Sequence, residues 1–362
     1  MTVVTDPGAR GTAIGGIGTV GPRRSAAREA LVIGVFAAFI LSMPFWIVQI
    51  GGYEGLATKI VVWAIFALGF DILLGFTGFL SFGHAAFFGG AAYITGFMLR
   101  DVSADIIPAF VVSQVGTLIL ALFIGYLSLR RTGIYFSILT LAFASMLFAA
   151  ALAIFAPWTG GYDGLTMSTS PVLLGLPMSG LNVFYMGAAM LIFGFFVARK
   201  IKNSPFGLIL RSIKENPMRL EYTGVNVWAY KMMAFVISAH FAGVAGFLMV
   251  IYEPYVATKF LHWSTSGEVV IMSVIGGVGT LVGPILGAGF VMYFENVVQA
   301  SIGEQWKLVM GLVFVFVVIF LPGGFMQLGR LIWKATGHKV AYRRNNVPDM
   351  EITEPRRGDR FG

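Results

Sequence analysis

The run Glu268-Val-Val-Ile-Met-Ser-Val-Ile-Gly-Gly-Val-Gly-Thr-Leu-Val-Gly-Pro-Ile-Leu-Gly-Ala-Gly-Phe-Val-Met-Tyr-Phe-Glu295 carries no charge between its two ends and is broken by Gly276, Gly277, Gly279, Gly283 and Pro284. A membrane span takes about 20 apolar residues, so this run is one span or two short ones, and the choice decides where the chain ends. Eight further apolar runs are clear, near Leu31–Ile50, Leu56–Phe76, Gly78–Met98, Ile106–Leu129, Gly133–Ala156, Leu181–Ala198, Met232–Ile251 and Leu308–Gln327. Counted alternately, they put Arg130 and Arg131, and then Arg199, Lys200, Lys202, Arg211, Lys214 and Arg219, on the side of Arg23, Arg24 and Arg28. Basic loops stay in the cytoplasm, so Arg330, Lys334, Lys339, Arg343 and Arg344 belong there too. An N-in, C-in chain crosses an even number of times, so the glycine-broken run crosses twice. The expected fold is an all-α polytopic bundle of about ten transmembrane segments.

Composition supports this class. Hydrophobic residues make up 57% of the chain and charged ones only 12%, which is too little charge to cover a water-facing globule. The net charge of +8 lies in loops between spans, as in membrane proteins, and does not point to nucleic acid. The absence of Cys excludes disulfides, thiolate metal sites and thiol nucleophiles. Residues 1–28 read as a cytoplasmic tail too polar to span, residues 29–329 as the membrane domain, and residues 330–362 as a basic cytoplasmic tail. No Gly-Lys dipeptide occurs, so a phosphate-binding P-loop is impossible. Neither H-E-x-x-H nor G-x-S-x-G is present, and the four His, at 84, 240, 262 and 338, lack metal-ligand spacing. The expectation is therefore a transport protein, neither enzyme nor cofactor binder, in which any ATP is hydrolysed by another subunit.

One charged island interrupts the hydrophobic chain, in the cytoplasmic loop 199–231. Ser204 is placed to cap a helix with Pro205 at its first position, ending before Pro217. Phe206, Ile209, Leu210 and Ile213 recur at i, i+3, i+4 and i+7, forming one apolar stripe. A second short helix opens at Pro217, and Gly224 closes it with a left-handed cap. The element reads as a docking helix for a motor subunit, with Phe206, Gly207, Ile209, Leu210, Arg211, Lys214, Glu215, Asn216 and Gly224 as its coupling residues.

Within the membrane, Asp71 and His84 are costly ionisable groups that mark a cavity, a partner or a helix break. With Ser81, Gly276, Gly277 and Gly279 they form the candidate pathway or gate. Two readings of Asp71 stand: a pathway residue, or a carboxylate bonded to loose backbone amides at the glycine-rich break near Thr77 and Gly78. Gly279, Gly283 and Gly287, and Ala242 with Gly246, have small-residue spacing for close helix packing. The external loop 157–180 has no Lys or Arg and is the expected docking face for an extracytoplasmic partner, through Thr159, Gly160, Gly161, Asp163 and Gly164.

Four blocks give the chain a family resemblance. They are Ala67 to Phe87, Thr159-Gly-Gly-Tyr-Asp-Gly-Leu165, the charged island continuing through Tyr230 to Gly246, and Gly276-Gly-Val-Gly-Thr-Leu-Val-Gly-Pro-Ile-Leu-Gly287; Phe320-Leu-Pro-Gly-Gly-Phe325 extends them. In order and spacing they resemble the inner-membrane permease subunits of branched-chain amino-acid ABC importers, of the LivM type. The chain departs from that pattern at Asp71, where Asn is usual, at Lys214, often Arg, and at Pro217, commonly acidic. The resemblance implies a bacterial cytoplasmic-membrane location, a second permease subunit of related sequence, two cytoplasmic ABC ATPases, a soluble binding protein, and leucine, isoleucine or valine as cargo. A sister subfamily carries urea or short amides. The alternative from the residues alone is an ion-coupled secondary transporter with Asp71 and His84 as a proton relay; an intramembrane enzyme comes third.

Overall fold

The computed structural model describes residues 26–167, 170–321 and 323–328. Both expected tails lie almost entirely outside the described residues. The chain is helical almost throughout: α1 Ala26–Leu41, α2 Met43–Ile47, α3 Glu54–Thr77, α4 His84–Phe97, α5 Ile106–Ser128, α6 Ile134–Leu152, α7 Ala156–Thr159, α8 Leu181–Asn203, α9 Pro205–Glu215, α10 Pro217–Glu221, α11 Val227–Tyr252, α12 Trp263–Gly276, α13 Val282–Ile302 and α14 Trp306–Phe320. Four two-residue strands, β1 Leu165–Thr166, β2 Val172–Leu173, β3 Leu176–Pro177 and β4 Tyr255–Val256, add two small antiparallel pairs, β1 with β4 and β2 with β3.

Among the described residues, α3, α5, α6, α8, α11 and α13 are long and apolar enough to cross a membrane unaided. α3 and α11 form the centre. α3 is apolar on every side and buried along nearly its whole length, as a helix must be when other helices surround it. α11 packs against it, against α4 and against α5, and Gly246 allows the approach to α4, since a Cβ there would meet the Phe88 carbonyl oxygen. The peripheral helices α5, α6 and α14 expose Ile119, Phe123, Ile138, Leu312, Phe316 and Ile319, a surface suited to lipid or a second apolar subunit.

The glycine-broken run folds as two helices, α12 and α13, joined by a turn over 277–281. Gly283 and Gly287 face α12, where a Cβ would collide with the Gly276 and Met272 carbonyl oxygens respectively. Gly279 differs from the expected helix-packing role. It sits in the turn with φ 80° and is part of no helix.

A second difference concerns Gly78–Met98. Helix begins only at His84. Gly78 adopts φ 77° and its N–H donates to the Leu74 carbonyl, 3.1 Å, ending α3 with a left-handed cap. The non-helical residues that follow are buried in protein, where their polar groups find partners: Ser137 Oγ donates to the Leu80 carbonyl, 2.6 Å, and the Ala85 N–H to Ser266 Oγ, 2.7 Å. Non-helical backbone at membrane depth survives only under such conditions.

The order of elements then recurs with its direction reversed. α3 passes through a non-helical segment into the 14-residue α4, followed by α5 and α6; α11 passes through 253–262 into the 14-residue α12, followed by α13 and α14. α3 and α11 are antiparallel, since Lys59 near the start of α3 pairs with Glu253 just past the end of α11 at 3.0 Å. α13 packs on α3 as α5 packs on α11. Inverted repeats with broken helices are a recurring transporter architecture. The two ends are distinct: α9 and α10 occupy the basic end, and residues 156–167 and 170–180 occupy the loop end.

Candidate functional site

The basic end is built on α9. Ser204 has extended backbone, and its Oγ accepts from the Gly207 N–H at 3.3 Å, with Pro205 at the first helical position. Leu210 and Ile213 are buried, and Phe206 stacks on Tyr230 with ring centroids 5.7 Å apart. This face packs on α3, α8 and α11. The expectation that Phe206, Ile209 and Leu210 offer apolar contact to a partner is therefore corrected: the stripe holds α9 to its own bundle. Gly207 permits this, since a Cβ would press on the Ile201 carbonyl. Arg211 is also engaged internally, donating from its guanidinium to the Gly207 and Lys202 carbonyls at 3.2 and 3.1 Å. Of the expected coupling residues, Arg211, Lys214, Glu215, Asn216 and Gly224 are exposed, and Leu208, Met218, Arg219 and Tyr222, which the sequence reading did not include, are exposed beside them. Asn216 Oδ1 accepts from the Arg219 N–H at 3.0 Å and so caps α10; Gly224, at φ 81°, closes the segment as expected.

At α9 a polar cluster joins four elements, α3, α8, α9 and the 277–281 turn. Asp71 Oδ1 accepts from the Gly279 N–H at 2.6 Å and Oδ2 from the Leu281 N–H at 3.2 Å. Asp71 thus binds backbone amides at a glycine-rich break, but the break is 277–281 and not the one at Thr77 and Gly78. Gly75 makes room, because a Cβ there would strike Asp71 Oδ1 and the Gly279 backbone. Lys202, at the end of α8, donates to the Gly279 carbonyl at 3.2 Å, and Lys214, on α9, donates to the Gly75 carbonyl at 3.0 Å. Lys214, itself exposed, thus reaches back with its ammonium group to the end of α3. Leu281 has φ 66°, a left-handed conformation that costs a non-glycine residue about 1–2 kcal/mol and that the Asp71 carboxylate holds in place. Gly276 and Gly277 complete the turn: Gly276 abuts Gly283, and Gly277 takes φ 115°.

His84 and Ser81 lie elsewhere. His84 Nε2 is 2.8 Å from Ser238 Oγ, and Ser238 Oγ donates to the Gly69 carbonyl at 2.7 Å. The hydroxyl has one proton, committed to Gly69, so Nε2 carries the hydrogen in the His84 contact. Phe70, Phe87 and Phe235 enclose the ring with edge contacts of 5.0 to 5.9 Å. Ser81 is buried and its Oγ accepts from the Gly83 N–H at 3.2 Å. Among the described residues His84 and Asp71 share no hydrogen-bond partner.

At the loop end, the motif at 159–164 is mainly architectural. Thr159 is buried, its Oγ bonded to the Ala151 carbonyl at 2.6 Å, and Gly160, Gly161 and Gly164 all have positive φ. Gly164 lies against the Val256 carbonyl, next to the β1–β4 pair. Asp163 is exposed, as is Tyr162, 85% accessible. The same end holds charges that no motif had marked: Lys59–Glu253, and Lys259–Glu268 at 3.5 Å, with Lys307 and Glu295 in the same neighbourhood. Apolar runs had drawn attention away from the charges at their edges.

A family model described as "Branched-chain amino acid transport system / permease component" matches residues 52–318. The high-affinity branched-chain amino acid transport system permease protein LivM of Escherichia coli (strain K12) is 23% identical over 330 residues, covering 84% of this chain and 77% of the relative. The autoinducer 2 import system permease protein LsrC of Enterobacter sp. (strain 638) is 28% identical over 51% of this chain and 54% of its own. The guanosine ABC transporter permease protein NupQ of Bacillus subtilis (strain 168) is 30% identical over 24% of this chain and 26% of its own. No solved structure matches.

Proposed function

Because the chain belongs to the branched-chain amino acid transport system / permease component family, we propose that it is the membrane-spanning subunit of an ATP-driven importer of leucine, isoleucine and valine. It works beside a second permease subunit, two cytoplasmic ATPases and a soluble binding protein. Its ten crossings comprise the six long helices together with α1–α2, α4, α12 and α14, and both termini face the cytoplasm.

The observation that carries the reading is the cluster at Asp71. α9 is fixed to the bundle by its apolar face, and it and the α10 segment present Leu208, Glu215, Met218 and Tyr222 to a motor subunit. Lys214 ties α9 to the end of α3, Lys202 ties α8 to the 277–281 turn, and Asp71 ties α3 to that same turn. A displacement of α9 on ATP binding is thereby delivered to the joint between α12 and α13, a rigid-body mode of alternating access. Asp71, Gly276, Gly277 and Gly279 belong to the gate, while His84 and Ser81 secure the start of α4.

Uptake of labelled leucine into proteoliposomes containing all partners tests the reading. Glu215→Lys is expected to lower ATP-dependent uptake about tenfold, corresponding to a coupling loss of about 1.4 kcal/mol, with membrane insertion intact. Normal uptake with the ATPase still co-purifying sinks the docking role. Leucine, isoleucine and valine left outside while urea, guanosine or autoinducer 2 enters reassigns the cargo, and uptake driven by a proton gradient without ATP favours ion coupling. Orientation has its own test in this Cys-free chain: Tyr162→Cys labels with an impermeant thiol reagent on intact cells and Ser212→Cys does not.

A further inference from the structure

At the loop end, α12, α13 and α14 enclose a cleft of about 290 Å³ lined by Lys259, Trp263, Glu268, Ile271, Trp306 and Lys307 among others. A second cavity of about 410 Å³ lies at the same end between α4, α5 and α6, lined by Ala86, Gly90, Leu120, Leu147 and aromatic residues and bearing no charged side chain. The charges of the first cleft do not repay their position in stability. Glu268 is largely buried, with 19% of its side chain accessible, against 56% for its partner Lys259. A half-exposed pair at 3.5 Å is worth about 0–1 kcal/mol, while burying a carboxylate costs several.

We propose that this cleft is the amino-acid recognition site of the permease, and that it binds the zwitterion of an aliphatic α-amino acid. The proposal rests on the importer reading above and deepens it. Glu268, the one carboxylate lining the cleft, takes the ammonium group. Lys307, with no ion pair among the described residues, and Lys259 take the carboxylate, helped by the N-terminal end of α12, whose first turn lines the cleft. Ile271, Met310 and the buried Trp306 provide the apolar wall for a branched side chain. The volume lies at the small end of ligand pockets, which start at about 300 Å³, and suits a ligand of amino-acid size. Opposite charges at the two ends of an apolar wall select against molecules lacking either the ammonium or the carboxylate, since the unmatched protein charge would be left desolvated.

The test uses single cysteines at two cleft glycines whose Cβ positions are open, Gly311→Cys on α14 and Gly267→Cys on α12, in the complete transporter with its partners in proteoliposomes. Saturating L-leucine is expected to slow alkylation of either cysteine about fivefold or more, as mass action requires of an occupied site. 4-Methylpentanoate, which lacks the ammonium, should give no protection, and adding Glu268→Gln should abolish the protection by leucine. Leucine uptake at the normal rate with unprotected cysteines in both variants overturns this site and spares the importer reading. Protection without leucine uptake keeps the site and overturns the transport reading. Neither uptake nor protection overturns both.

Discussion

The two halves of the bundle share a plan and differ in what they do with polar groups. In the half α3–α6, the interruption before the short helix lies toward the basic end, and its backbone is satisfied by hydroxyls from α6 and α12, Ser137 and Ser266. In the half α11–α14, the interruption lies at the loop end, where β4 pairs with β1 and His262 Nδ1 accepts from the Ser264 N–H at 3.2 Å to cap α12. In this second half the 277–281 turn is pinned by a carboxylate from the first, Asp71, whereas the link into α5 in the first half is capped by its own Asp105, which accepts from the Ile107 N–H at 3.0 Å. The cleft between α12, α13 and α14 is lined by charged side chains, and the cavity between α4, α5 and α6 by none. A shared scaffold thus carries different polar groups in its two halves.

Substitutions that strike what the halves have in common should have the largest effect. Gly246→Val and Gly287→Val each place side-chain carbons against a backbone carbonyl of a neighbouring helix, Phe88 and Met272 respectively. Neither backbone can give way cheaply, so both variants are expected to yield no folded protein by size-exclusion chromatography in detergent. Recovery of one but not the other would show that the halves do not bear load equally.

Asp71 probes what they do not share. Asp71→Ala leaves the Gly279 and Leu281 amides without their acceptor, and hydrogen bonds to a charged group contribute about 1.5–3 kcal/mol each. A loss of about 3 kcal/mol or more is expected, read as a marked fall in the thermal midpoint in detergent. Asp71→Asn keeps one acceptor oxygen and should lose about half as much, with leucine uptake close to normal. Equal losses for the two variants would mean that charge, and not hydrogen-bond acceptance, holds the turn.

The smallest change expected is in stability at the cleft. Lys259→Gln removes one partner of a half-exposed pair and should alter stability by less than about 1 kcal/mol. A larger loss would mark the charged cleft as scaffold after all.

Much of this plan was legible in the chain. Ser204 and Pro205 announced the start of α9, and Gly224 the close of the segment after α10, because caps and left-handed turns are local requirements, met by few residue types. Gly276 to Pro284 announced a helical hairpin for the same reason. The late start of α4 was not legible, since Phe79-Leu-Ser-Phe-Gly83 is as apolar as a helix and hydropathy reports environment, not conformation. The inward face of α9 was misassigned because periodicity finds a stripe without saying what covers it. The reversed repeat left only a faint trace, two interrupted hydrophobic segments in corresponding places.

Asp71 also has a history within each synthesised molecule. Its two hydrogen-bond partners lie 208 and 210 residues downstream. At about 5–20 residues per second, roughly 10–40 s pass between the emergence of α3 from the ribosome and that of the amides its carboxylate needs. Through that interval the central helix carries an acid without its native partners, and it can be sealed into the bundle only when the last third of the chain arrives. The bond that later joins α3 to the 277–281 turn is therefore also a condition of assembly: a chain cut short before residue 279 leaves the Asp71 carboxyl at its centre without its native partners.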